Sequence, residues 1–186
     1  FRVTTAELST SLLRAAGARV SRPAGAADIP ADTDLVVVDE WTAEHAPAVL
    51  RARAIGARVS VLAELLLEGA SIPVLAVTGT AGKSTTTRIA AALVRRAGIT
   101  TTITPSGRAG NAWPNAELID AVADEGWFVA ELTSTHLCHM DRWRGPQIGV
   151  ITNAWPDHLE LHGGLERYLA AKRRLVERTQ GTLVVN

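Results

Sequence analysis

Apolar residues fall into two patterns along this chain. Some form short unbroken runs rich in β-branched side chains, and others recur every three or four positions. The first pattern marks strands buried on both faces, the second amphipathic helices. Residues 34–38 (Asp34-Leu35-Val36-Val37-Val38), 58–62, 74–78 (Val74-Leu75-Ala76-Val77-Thr78), 127–132 and 147–153 read as strands. Residues 100–104 are Thr-rich and β-prone, and 18–21 and 183–186 add two short candidates. Helices are predicted over 6–16, with Thr4 or Thr5 as N-cap, and over 43–55, 63–67, 83–97, 115–124 and 165–178. Gly17, Gly56, Gly69 and Gly98 supply the stops. Residues 22–33 carry Pro23, Gly25 and Pro30 and read as loop. Strands alternating with helices across short links predict an open, mostly parallel α/β sheet. Ser71-Ile72-Pro73 is a seam. It divides a partial Rossmann-like domain, residues 1–71, from the first part of a P-loop domain, residues 72–186.

Composition narrows the function classes. Of 186 residues, 47% are apolar, enough to bury a core. Lys plus Arg and Asp plus Glu number 19 each. A balanced chain offers no basic field for nucleic acid and no patch for a membrane surface. No apolar run approaches the roughly 20 residues of a membrane span. A lone cysteine, Cys138, excludes an internal disulfide framework and fits a reducing cytoplasm. The chain starts Phe1-Arg2-Val3, neither a methionine nor a signal peptide, and finishes on a strand. It is therefore expected to be a piece of a longer protein.

The strongest chemical signal follows the 74–78 strand. Gly79-Thr80-Ala81-Gly82-Lys83-Ser84-Thr85 joins that strand to a helix. Gly79 and Gly82 allow backbone N–H groups to approach a phosphate where a Cβ would clash. The helix N-terminus adds partial positive charge. Lys83 is placed to reach the outer phosphates, and the Ser84 hydroxyl, with Thr85 beside it, to join a metal. The general P-loop pattern asks for glycine six positions before the lysine, where this chain has Val77. A compact Thr-Gly-Thr-x-Gly-Lys-Ser form remains. Read alone, the segment could also be a glycine-rich turn with an exposed lysine.

Two more segments lie just past predicted strands: Glu131-Leu132-Thr133-Ser134, and Thr152-Asn153-Ala154-Trp155-Pro156-Asp157-His158. In open α/β sheets ligands gather at the carboxyl ends of strands, so these segments and the loop can converge. Together with His162-Gly163, Tyr168 and Ala170-Ala171-Lys172, they resemble the central domain of the Mur ligase family. Its loop is Gly-Thr-Asn-Gly-Lys-Thr or Ser, with Ala81 here at the Asn position. The resemblance covers residues 70–186 firmly and the first 70 loosely. Glu131-Leu132-Thr133-Ser134 and Gly110-Asn111-Ala112-Trp113-Pro114 are most similar to the family's D-glutamate-adding branch.

The resemblance implies an ATP-dependent ligase that makes an acyl phosphate and then an amide bond. Its substrates would be ATP, a UDP-sugar-linked carboxylate and an amino acid, with D-glutamate added to UDP-N-acetylmuramoyl-L-alanine in peptidoglycan precursor synthesis. Partners would be small molecules alone, and the enzyme a cytoplasmic monomer with a C-terminal domain absent from this chain. Two other readings stay open: a peptide ligase of specialised metabolism, and a non-catalytic nucleotide-binding homologue. Lys83, His158 and Lys172 are implied as the catalytic set. Ser84, Glu131, His158 and Lys172 would serve Mg²⁺, two ions with Lys172 carbamylated, and Asn111 and Ser134 would touch substrate.

Each of these residues has a simpler reading. Glu131 could be a strand-end ion pair, His158 a loop histidine, and Asp157 an N-cap. Lys172 could be a solvated lysine beside Arg173 and Arg174, and Asn111 and Ser134 could cap turns. His136, Cys138 and His139 fit no common zinc spacing. His45 and His162 read as surface or structural residues. Trp113 and Trp155 fit either the site's edge or the core.

Overall fold

The computed structural model describes residues 2–5, 19–21, 26–104 and 125–186. Two parallel sheets form. The first runs β2-β1-β3-β4, from β1 (Arg2–Thr5), β2 (Arg19–Ser21), β3 (Leu35–Val38) and β4 (Arg58–Val61). Helix α1 (Pro47–Ala54) links β3 to β4, and α2 (Leu62–Gly69) leads on to the second sheet. That sheet has the order β6-β7-β5-β8-β9. Its strands are β5 (Val74–Thr78), β6 (Thr101–Ile103), β7 (Trp127–Glu131), β8 (Ile148–Ile151) and β9 (Thr182–Val185), all paired in parallel. Helix α3 (Lys83–Arg96) follows β5, α4 (Ser134–Cys138) follows β7, and α5 (Leu159–His162) and α6 (Leu165–Arg178) lie between β8 and β9. The α/β class and the parallel sheets are as the sequence predicts.

Alternation explains the unbroken apolar runs of the central strands. Val74, Ala76, Phe128 and Ala130 face one core, together with Leu137, Met140, Trp143 and Leu175. Leu75, Val77 and Val129 face the other, with Ala91 of α3. A sheet covered on both faces needs apolar residues at every position. The first of these cores also takes in Val36, Val59, Leu66 and Ile72, so the two sheets share it.

Several predicted bounds move. Helix α1 starts at Pro47 rather than residue 43, because Ala46 is extended and proline belongs in a first turn. Thr4 and Thr5 lie in β1, a strand with no apolar run to announce it. Gly69 lies inside α2 instead of after it. A 3-10 turn at Ala26–Asp28 interrupts the predicted loop. Helices α4 and α5 are too short to show a period. The predicted helices over 6–16 and 115–124 lie outside the described residues, as do Asn111 and Trp113.

Glu64 of α2 is fully buried and joins the two halves. Its Oε2 accepts from Ser60 Oγ at 2.5 Å and Arg58 at 2.7 Å. Its Oε1 accepts from the backbone N–H groups of Arg142 (2.6 Å) and Trp143 (3.0 Å). Removing the carboxylate takes the acceptor from the Arg142 and Trp143 N–H groups, while Arg58 keeps Glu68 and Ser60 the Val61 carbonyl. Glu64→Ala is expected to lower unfolding free energy by about 3 kcal/mol in urea denaturation.

Candidate functional site

The strand order sets the site. β5 lies between β7 and β8, so the three carboxyl ends are neighbours. β5 runs into the glycine loop, β7 into Glu131 and α4, and β8 into residues 152–158. The α/β rule for ligand position therefore applies at β5.

The loop is braced by the segment after β8. A Cβ on Gly79 would overlap the Thr152 hydroxyl, so no larger residue fits there. Gly82 is left-handed at φ 81° and caps α3. Asn153 Oδ1 accepts from the N–H groups of Thr80 (3.0 Å) and Ala81 (2.9 Å), and its Nδ2 donates to the Ala81 carbonyl (3.0 Å). The Thr152 hydroxyl donates to the same carbonyl at 2.6 Å. Thr80 Oγ1 donates to the Trp155 carbonyl at 2.7 Å, so the Tyr168 hydroxyl, 2.5 Å away, must donate to Thr80. The first-turn amides of α3 remain for an anion.

Gly79, Thr80, Lys83, Ser134, Asp157, His158, Tyr168 and Lys172 line one cleft, with Glu40 and Trp41 from the first sheet's side. Lys83 Nζ donates to the Thr80 carbonyl at 3.0 Å. Lys172 is buried, not solvated, with its Nζ 4.8 Å from the Tyr168 ring centroid. Burial, and then the positive charge of Lys83, push Lys172 down to about 7. Much of this amine is therefore uncharged at neutral pH.

His158 is exposed and left-handed at φ 48°, a conformation that marks functional or strained positions. Its ring meets Trp41 edge-on at 5.5 Å. His158 itself occupies the N-cap of α5, so Asp157 does not cap that helix. Glu131 is buried, opposite Val77 in the sheet register. Ser84 and Glu131 flank the loop without lining the cleft. Trp155 is exposed, not in the core.

Sequence reasoning assigned no role to Asn153, Tyr168 or Glu44. The first two stand inside the quoted motif, which was the available signal; Glu44 had none. His162 is fully buried and hydrogen-bonded on both ring nitrogens, whereas His45 is exposed. Among the described residues, Glu44, Cys138 and His162 are the three potential metal ligands that cluster. Burial pushes the Cys138 thiol far up, and it donates to the Thr135 carbonyl. A protonated thiol is a poor metal ligand.

Known proteins resemble this chain in sequence and fold. Residues 77–186 match the Mur ligase middle domain. The UDP-N-acetylmuramoylalanine–D-glutamate ligase of Symbiobacterium thermophilum is 36% identical over 148 residues, 80% of this chain and 31% of that protein. The ligase of the same name from Synechococcus sp. (strain JA-3-3Ab) is 38% identical over 160 residues, 80% of this chain and 33% of that protein. The chain thus spans about a third of the length of these curated relatives. Among solved structures, the UDP-N-acetylmuramate-alanine ligase MurC of Thermotoga maritima matches 98% of this chain and 42% of its own, with TM-score 0.55 and 25% identity. MurF from the same organism, in complex with ADP, shares the fold with TM-score 0.53 and 19% identity, over 87% of this chain and 44% of its own.

The Lys172 shift carries a sign. Its folded value lies below the ordinary 10.5. Between these pH values the unfolded chain binds the extra proton, so stability rises with pH from about 7 to 10.5. Lys172→Met is expected to raise stability at pH 7 by about 1–3 kcal/mol, and by less at about pH 10. Urea denaturation at the two pH values measures it.

Proposed function

The chain belongs to the Mur ligase family, and we propose that it is the nucleotide-binding part of an ATP-dependent ligase that joins an acid to an amino acid. The favoured reaction adds D-glutamate to UDP-N-acetylmuramoyl-L-alanine. The observation that carries this reading is the convergence of loop, Lys83, His158 and Lys172 on one cleft. The names of the relatives support the choice of substrates. Residues 1–71 would serve the sugar-nucleotide side and residues 72–186 the ATP side.

A carboxylate does not react with an amine unaided, because its oxygen is a poor leaving group. Phosphorylation by ATP makes it one, and the protein's task is positioning and neutralising charge. Lys83 would hold the outer phosphates. Magnesium is a hard cation that prefers oxygen donors, and it offsets phosphate charge when bound. The donor set fits: the Ser84 hydroxyl at the head of α3, and the Glu131 carboxylate one strand away from the loop. His158 would contribute to a second ion. An uncharged Lys172 amine can add carbon dioxide and release a proton, giving a carbamate with oxygen donors in place of a cation. The value of about 7 supports that chemistry. Ser134 would face the acyl substrate from the head of α4, and Asn111 would join it.

Lys83→Ala is expected to abolish Mg²⁺-dependent ATP binding in titration calorimetry. Wild-type affinity in that variant would overturn the assignment of the loop.

A further inference from the structure

Ser134 is the first residue of α4 and lines the cleft. Behind it lies His162, whose Nε2 is 3.0 Å from Ser134 Oγ. His162 Nδ1 is 3.0 Å from Glu44 Oε1. The imidazole has no exposed surface, and its other face meets the Tyr168 ring edge-on at 5.5 Å. Ser134 and His162 belong to the second sheet's half, whereas Glu44 precedes α1 in the first. The contact is reinforced by the backbone, since the Glu44 N–H donates to the Leu161 carbonyl at 3.0 Å.

The direction of every hydrogen bond in this chain follows from the carboxylate. An ionised carboxylate can only accept, so His162 Nδ1 carries the proton facing Glu44. A neutral ring with its proton on Nδ1 has a bare Nε2. A bare nitrogen accepts, so the Ser134 hydroxyl donates its one proton inward. Its oxygen is left with lone pairs for the cleft.

We propose that Glu44, acting through His162, fixes Ser134 as a hydrogen-bond acceptor in the cleft, where it takes an N–H donor of the acyl substrate. Glu44 and His162 are positioning residues, and Ser134 alone touches ligand. Burial works against the Glu44 charge, yet the hydrogen bond with His162 helps to outweigh it, and the carboxyl is held below its usual range. An amide substitution inverts the system. A glutamine at position 44 can donate to Nδ1, which moves the ring proton to Nε2 and turns the Ser134 proton outward. A wrong tautomer in unchanged geometry is enough to disable such an arrangement. The ligand class rests on the ligase reading, while the ring tautomer does not.

The test has two arms. Long-range proton–nitrogen spectra of the ¹⁵N-labelled protein at about pH 8 report which His162 nitrogen is protonated. The expected result is Nδ1–H with a bare Nε2 in wild type and the reverse in Glu44→Gln. A wild-type ring protonated on Nε2, or on both nitrogens, overturns the proposal. In the second arm, calorimetry with UDP-N-acetylmuramoyl-L-alanine as probe compares Glu44→Gln, Ser134→Ala and the double variant. Each single change is expected to weaken binding about tenfold, with the double variant no worse. Additive losses, or no loss in Glu44→Gln, overturn it. If wild type ignores the probe, the substrate reading fails, and the relay stands or falls on the nitrogen shifts. Should Glu44→Gln not fold, the wild-type spectrum and Ser134→Ala still decide.

Discussion

Everything at this site depends on how closely the end of β5 approaches the end of β8. Gly79 has no room for a side chain because the Thr152 hydroxyl occupies that space. This contact allows Thr152 and Asn153 to reach across and hold the loop through the Ala81 carbonyl and the Thr80 and Ala81 amides. A loop held at this many points costs little to order when an anion arrives, which is how a rigid cradle gains affinity. The same approach carries residues 155–158 over the loop, where the Trp155 carbonyl takes the Thr80 hydroxyl and His158 enters the cleft.

The cleft's other wall comes from the first half of the chain. Within residues 40–44, Glu40 meets His136 at 3.1 Å, the Thr42 carbonyl meets His139 at 2.9 Å, and Glu44 meets His162 at 3.0 Å. Trp41, between them, stacks edge-on against His158. Four of the five histidines thus hold one short segment. Burial pushes His139 down, consistent with a neutral ring donating to a carbonyl. With Glu64 tying α2 to the backbone at residues 142–143, the two halves are joined at several buried polar points and by a shared core.

The sequence made some of this legible for clear reasons. Strands buried on both faces leave continuous apolar runs, so β3, β5 and β7 stood out, and α6 matched its predicted bounds because its helical period was strong. The rule about strand ends pointed to the loop, Glu131 and His158; the loop and His158 share the cleft, Glu131 does not line it, and Lys172 came from the resemblance alone. Other features left no trace. β1 is four residues without an apolar run, and α4 and α5 are a turn or so long. The burial of Lys172 was also hidden, since its neighbours Arg173 and Arg174 make the sequence look like a solvated face. Only the packing of α6 against α4, with the Lys172 amine over the Tyr168 ring of the same helix, reveals it.

The polar contacts between the halves matter for a reason beyond stability. Hydrophobic burial is non-directional and would hold the halves together over a range of angles. A carboxylate with four donors, and an imidazole bonded at both nitrogens, tolerate far less movement, because hydrogen bonds weaken steeply off axis. Glu64 and the histidine-held segment therefore fix orientation where the shared core fixes only proximity. For a cleft whose walls come from both halves, orientation is what keeps Glu40 and Trp41 at working distance from Lys83, Ser134 and Lys172.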